Sequence, residues 1–361
     1  MKRKIVFVTL ALLVIAVFFA YSRFFAPATQ FSGKEKIFYI YSRNATKDAI
    51  LVSLIKDSVV HKTGSISWLG SQMSYWEKIK PGRYKITSGM SVYAIIKQLR
   101  SGVQTPSRLV INKLRLTQDL GKLLDKAIEA DSAEVMEFMN DNDEMKKLEL
   151  DNANLMAYII PDTYEVLWTW SPERVLQKLK EDRERWWNKK DRKALTQKIG
   201  LSQNEVHTLA SIVEEETNKK DDKPKVASVY LNRLKIGMPL QADPTIRYAL
   251  KNFTMNRILY VHLRTPSPYN TYINKGLPPG PICTPSPATI DAVLNAPQTE
   301  YIFFVANADL MGGSTFTTNL SDHNKAARVY QDSLSAWLKR KAIREKTKKD
   351  SIAKSGSNTT Q

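Results

Sequence analysis

The sequence predicts an α+β protein: an N-terminal transmembrane helix, a small α+β module, then a mixed α/β domain with a long loop-rich cleft. Three observations carry that expectation. An uncharged apolar run, Ile5–Tyr21, lies between Lys2-Arg3-Lys4 and Arg23. Strand-like and helix-like patterns alternate over residues 36–112. A Pro- and Gly-rich stretch from Met238 to Pro287, with little periodicity, follows a pair of helical segments. The 361 residues suffice for two or three domains, and 43% hydrophobic content is ordinary for a globular chain.

The opening run is at the short end of what crosses a bilayer. It is longer than most signal-peptide cores and lacks a small-x-small cleavage site. It reads as a retained signal anchor, with a cleaved signal peptide as the alternative; no cysteine follows it, which excludes a lipoprotein anchor. The positive-inside rule puts Lys2-Arg3-Lys4 in the cytoplasm and everything beyond residue 25 outside. Residues 1–25 are thus the cytoplasmic N-terminus and anchor, and 26–35 a linker.

In the module, Lys36–Tyr41 alternates as a strand, Thr46–Lys56 reads as a helix, and Arg83–Ile86 is a second strand. Ser91 caps a helix over Val92–Arg100 that Gly102 closes, and Leu109–Ile111 resumes as a strand. Residues 113–200 form a helical, heavily charged connecting region, interrupted at Ile159–Tyr164. Its Trp168, Trp170, Trp186 and Trp187 could stack on sugars, but tryptophan at helical spacing more often belongs to a core or a domain interface.

The domain at 201–338 starts on a capping box, Ser202-Gln-Asn-Glu205. A second helix follows Pro224, with Val226, Val229, Tyr230 and Leu234 apolar, and stops at Gly237. The loop-rich stretch comes next. The strands Tyr301–Val305 and Ser314–Thr318 then form a hairpin about Gly312-Gly313, and an amphipathic helix runs from Asp322 to Leu338. Residues 339–361 are a basic tail expected to be disordered.

Net charge is +18, and about a third of it lies in that tail, where eight Lys or Arg face only Glu345 and Asp350. An exported basic protein meets an anionic polymer or a membrane surface more readily than DNA. A solvated tail with no partner explains the charge equally well. No nucleic-acid motif is present, so no nucleic-acid partner is expected. Cys283 is the one cysteine, which rules out an intrachain disulfide framework. His61, His207, His262 and His323 show no ligand spacing, so neither metal nor cofactor is expected.

Glu216 stands out on the helix after Ser202. Val206, Leu209, Ile212 and Val213 make one apolar face, and Glu216 falls within it, while Glu214 and Glu215 point away as solvated residues. An acid on a buried face has either a partner or a raised pKa. It is therefore a paired structural glutamate or a general acid working near neutral pH. Ser53–Lys56 and Lys62–Gly64 match fragments of the penicillin-binding signature, but they lie too close together for that fold and are read as chance.

Six segments then agree in order and spacing: Ala210–Thr217, Lys225–Leu234, Ile236–Thr245, Tyr269–Tyr272, Gly276–Gly280, and Thr315–Leu320 with His323-Asn324. Together they make the chain resemble the YceG-like family of endolytic murein transglycosylases. The likeness extends to the anchor, to Pro161-Asp162-Thr163, and to 36–112, which it identifies as a LysM-like module. It is weakest over Thr117–Asn154 and in the tail.

The resemblance implies a lyase whose acid is the glutamate before Thr217, Glu216. Such an enzyme cuts the bond from N-acetylmuramic acid to N-acetylglucosamine and leaves a 1,6-anhydromuramyl end. Gln241, Asp243, Tyr269, Asn270, Thr271, Tyr272 and Asn319 become the expected sugar-contacting residues, each with loop stapling as the alternative. Arg233 and His323 either orient the site or are an ordinary surface arginine and a satisfied histidine. Gly276 and Gly280 shape the loops. The implied partners are peptidoglycan strands, the membrane and peptidoglycan synthases, with the catalytic domain on the outer side of the cytoplasmic membrane. A muramidase and a non-catalytic wall-binding scaffold are the rival readings.

Overall fold

The computed structural model describes residues 2–151, 153–255 and 257–356. In chain order the elements begin α1 (Lys2–Phe25), β1 (Glu35–Ile40), α2 (Lys47–Lys56), α3 (Gly64–Gln72), β2 (Gly82–Thr87), α4 (Val92–Ser101) and β3 (Ser107–Ile111). They continue α5 (Thr117–Leu124), α6 (Ser132–Asn140), α7 (Asn142–Lys147), β4 (Asp162–Val166), α8 (Pro172–Trp187) and α9 (Arg192–Ile199). The last are α10 (Gln203–Glu216), α11 (Lys223–Lys235), α12 (Asp243–Ala249), α13 (Pro287–Leu294), β5 (Phe303–Ala306), β6 (Ser314–Thr317) and α14 (Leu320–Gly356).

The chain forms two compact units. One holds the residues up to Ile111 with Leu120–Glu144 and Thr163–Gln177; the other holds Asn112–Asp119, Met145–Asp162 and everything from Lys178 onward. Residues 113–200, read from sequence as one connecting region, are divided between them. The reason lies in strand pairing: β3 stands outside the β1–β2 pair and pairs with β4, which the sequence reading took for an interruption between helices.

In the first unit, α1 is exposed along its apolar length, and Lys4–Phe25 is long and apolar enough to cross a membrane. Its end is anchored by rings: Phe24 stacks on Trp68 at 5.0 Å and Phe25 meets Tyr93 at 5.2 Å. Residues 26–35 are not a slack linker. Pro27 bridges to Ser91 and Thr29 to Val60, and the Thr29 hydroxyl accepts from the Gly89 amide at 2.8 Å. The core packs the antiparallel β1–β2 pair, in register Glu35↔Thr87 to Ile40↔Gly82, against α2, α3 and α4. The Ser91 cap and the left-handed Gly102 (φ 71°) end α4 as the sequence suggests. Helix α3 was not expected; its sequence lacks helical periodicity, and no side chain caps its start. Trp168 closes this unit, 4.9 Å from Tyr39 and 5.0 Å from Tyr41.

In the second unit α10 is the central element. The capping box forms: Ser202 Oγ accepts from the Glu205 amide, and Glu205 accepts from the Ser202 amide at 2.8 Å. Helices α9, α11, α12 and α13 surround it, so every residue from Val206 to Val213 is buried, including the polar His207, Thr208 and Ser211. The helix therefore has no solvated face, contrary to the simple wheel. Trp187 is enclosed in the same core. Strands β5 and β6 form the expected hairpin, Phe303↔Thr317 to Ala306↔Ser314. Helix α14 continues past Leu338 to Gly356, so most of the tail expected to be disordered is helical; residues 357–361 lie outside the described residues.

Candidate active site

Three consecutive glutamates end α10, at the pole of a helix least favourable for negative charge. The packing disposes of two of them. Glu214 accepts from Lys223 Nζ at 2.8 Å, from Ser286 Oγ at 3.0 Å and from the Thr289 hydroxyl. Both oxygens of Glu215 accept from Arg115 Nη2, at 3.0 and 2.9 Å, and Lys113 adds a contact at 3.0 Å. Burial alone would raise both carboxyls, but these partners outweigh it and hold them below the ordinary range. Neither is a solvated surface residue. Because α10 is ringed by other elements, its second side is as occupied as its first.

Glu216 is different. Among the described residues its hydrogen-bond partner is Tyr230, whose hydroxyl donates to Oε1 at 2.7 Å. Burial pushes its pKa up to about 7. The Tyr230 hydrogen bond opposes that rise, the charge of Asp243 adds to it, and the cations Arg247 and Arg233 moderate it. A carboxyl poised there can give and take a proton at neutral pH. Tyr230 is buried on α11, its ring edge-on to Phe304 at 6.0 Å. Burial and the neighbouring Glu216 push its phenol far up, so it stays a donor.

Asp243 opens α12, after a turn in which the exposed Gln241 takes a left-handed φ of 51°. The Tyr272 hydroxyl donates to Asp243 Oδ1 at 2.5 Å. Arg247 lies one helical turn beyond Asp243, on the same face of α12. Each of the two carboxylates in this site thus carries one tyrosine hydroxyl, and Glu216 feels Arg247 and Arg233 only through space.

The other sequence-predicted residues have distinct settings. Asn270 and Thr271 are fully buried. Asn270 Nδ2 donates to the Leu263 and Thr265 carbonyls, and the Thr271 hydroxyl joins Thr245 and the Ala242 amide. They are staples of the loop, not exposed sugar ligands; an amide or hydroxyl serves both purposes, so residue type could not separate them. Tyr269 is half-buried, its ring 4.6 Å from Tyr248. Asn319 caps α14, accepting from the Asp322 amide at 2.9 Å. Arg233 is buried and donates to the Ile302 and Leu240 carbonyls beneath the hairpin. His323 stacks on Phe303 at 5.2 Å, and burial lowers its pKa. Gly280 lies against the Ala153 carbonyl, which leaves no room for a side chain. Tyr230 and Arg247 escaped the sequence reading: the first occupies an apolar helix position, and the second is one basic residue among many.

The chain matches the YceG-like family over residues 39–329. It is 33% identical over 267 residues to the endolytic murein transglycosylase of Bacillus subtilis, an alignment covering 69% of this chain and 72% of that protein. The protein of the same name from Streptococcus pneumoniae is 26% identical over 295 residues, covering 73% of this chain and 53% of the relative. The crystal structure of a yceG-like protein from Listeria monocytogenes superimposes with a TM-score of 0.54 at 26% identity, covering 81% of this chain and 98% of that one. A family match across most of the sequence, with Glu216 and the residues around it inside the matched span, means that the chain belongs to the YceG-like family.

Proposed function

We propose that the protein is an endolytic murein transglycosylase with Glu216 as its single acid–base residue. The observation that carries this reading is the state of Glu216: half-buried, without an ion-pair partner, held near pKa 7 and bonded to one tyrosine hydroxyl. Protonated, it gives its proton to the oxygen linking the muramyl C1 to the next sugar, and that C1–O bond breaks. Ionised, it takes the proton of the muramyl C6 hydroxyl as a new C1–O6 bond forms. The acid returns to its starting state, the strand ends in a 1,6-anhydromuramyl residue, and no water is consumed. Ordinary glycosidases need two carboxylates because the nucleophile comes from water or from the enzyme; here the substrate supplies it.

Tyr230 fits a holding role, donating to Glu216 as charge develops on it. Tyr269, Tyr272 and Gln241 lie on the loops around the acid and are the side chains proposed to meet sugar. Arg233 and His323 support the hairpin beneath. Residues 36–112 are proposed as a LysM-like glycan-binding module, and the loops after α11 as the cleft wall. Helix α1 crosses the cytoplasmic membrane with the remainder outside, where peptidoglycan synthases extrude new strands; a tethered catalyst there acts as a terminase of elongation.

The test is mass spectrometry of uncrosslinked peptidoglycan strands incubated with the detergent-solubilised protein and with its Glu216→Gln variant. Anhydromuramyl ends from the parent, and none from the variant, are expected. Ends heavier by one water would make the protein a muramidase, with Asp243, whose charge already acts on Glu216, as the second carboxylate. No cutting by a folded parent would leave a binding scaffold.

A further inference from the structure

Beside Glu215 lies a small concavity that the proton chemistry does not use. Its volume is about 100 Å³, and Arg115, Arg247, Glu215, Tyr248, Phe253 and Ile282 line it. That is room for a carboxylate on a short carbon stem and too little for a hexose ring. Phe253 forms its aromatic wall, with the Arg115 guanidinium 5.1 Å from the ring centre.

The arginine donors here are not all used. Lys113 and Arg115 share one carboxylate, that of Glu215. Arg247 adds a third cation, and among the described residues its guanidinium makes no hydrogen bond or ion pair with the protein. The Nε atoms of both Arg115 and Arg247 are buried and without a partner. A buried guanidinium Nε with no acceptor is costly unless an anion completes it. The planar donor fork of arginine suits a carboxylate or phosphate oxygen pair. Arg247 also acts electrostatically on Glu216, so an anion held there would be felt at the acid.

We propose that this arginine-walled cavity is a subsite for a carboxylate of the stem peptide carried by the muramyl residue. The proposal rests on the transglycosylase reading, and it deepens that reading: the substrate is a peptide-bearing strand, recognised one residue at a time at the cleavage point. Glycan hydroxyls and acetamides are neutral, so the stem is the part of each repeating unit that brings an anion. A lipid-linked strand also carries a diphosphate at one end. That is the competing source of an oxyanion, but it recurs once per strand and not at every internal bond.

The experiment compares kcat/KM for anhydromuramyl formation on uncrosslinked strands, on the same strands with their stem carboxylates converted to neutral amides, and on strands whose terminal diphosphate has been removed. The parent is expected to cut strands with free stem carboxylates about tenfold faster than amidated ones, as befits a charge-assisted contact, and to ignore removal of the diphosphate. In Arg247→Gln that ratio collapses towards one, whatever the absolute rate; Arg247→Lys retains part of it. Arg115→Gln lowers the same ratio and provides a second reading should Arg247→Gln fold poorly. A parent ratio near one, an undiminished ratio in both glutamine variants, or dependence on the diphosphate would overturn the subsite. A parent that yields no anhydromuramyl ends from any strand would overturn the transglycosylase reading and this proposal with it.

Discussion

The core of the first unit, from Phe38 through Ile50, Leu54 and Ile66 to Leu99, is apolar except for hydroxyls such as those of Ser65, Tyr75 and Tyr84. The core around α10 uses the same aliphatic residues yet also encloses His207, Ser211, Arg233, Thr245, Asn270 and Thr271. One core is a foundation, and its cost is met by hydrophobic area alone. The other accepts buried polar groups and an acid without a cation, which burial alone does not favour. That cost falls where the proposed chemistry lies, as stability given up locally tends to do at working sites.

Four variants sharpen or break this contrast. Glu216→Gln should abolish anhydromuramyl formation by about 10²–10⁴-fold, the range for losing a general acid–base. It should also stabilise the second unit. A carboxyl whose folded pKa is about 7, against an ordinary 4.5, holds its proton more tightly when folded, so stability falls as pH rises from about 4.5 to 7 and is flat above. Thermal unfolding at pH 8 should show the variant more stable by at most on the order of 3 kcal/mol, with no difference at pH 4. An equal or lower melting temperature at pH 8 would mean that Glu216 is not strained.

Leu54→Ala, in the apolar core, should cost about 2–5 kcal/mol in denaturant unfolding and leave the pH midpoint of activity where it was. Glu215→Gln should cost about 1–3 kcal/mol at pH 7, because Arg115 and Lys113 lose their shared carboxylate. The sign in pH is opposite to that at Glu216. A lowered carboxyl stabilises above its unfolded pKa and loses that contribution as pH falls through the folded one, so the penalty should fade in acid below the ordinary glutamate range. The smallest effect belongs to Tyr230→Phe. Removing a donor to the ionised carboxylate should raise the Glu216 pKa further and move the alkaline limb of the kcat/KM profile upward, with a loss of about tenfold or less in rate.

Glu216 was legible because one helical wheel sets an acid among Val206, Leu209, Ile212 and Val213, a local pattern that needs no tertiary knowledge. The same wheel misplaced Glu214 and Glu215. Their partners, Lys223 and Ser286 for one and Lys113 and Arg115 for the other, come from distant parts of the chain. Tyr230 shows the limit in another way: a tyrosine at an apolar position reads as core, and it is core, yet its hydroxyl reaches the acid. Caps were read correctly at Ser91, Gly102 and Ser202, since their physics lies within a few residues. The pairing of β3 with β4 joins segments far apart in sequence, and no local signal announces it.

Cys283 lies wholly inside the second unit, its sulfur 3.5 Å from the Ser211 carbonyl of α10, and burial raises its thiol well above the usual range. Oxidative damage begins from an exposed thiolate, and this sulfur is neither exposed nor ionised. Peroxide therefore has no easy entry at Cys283, and the thiol becomes open to oxidation only when the packing around α10 opens.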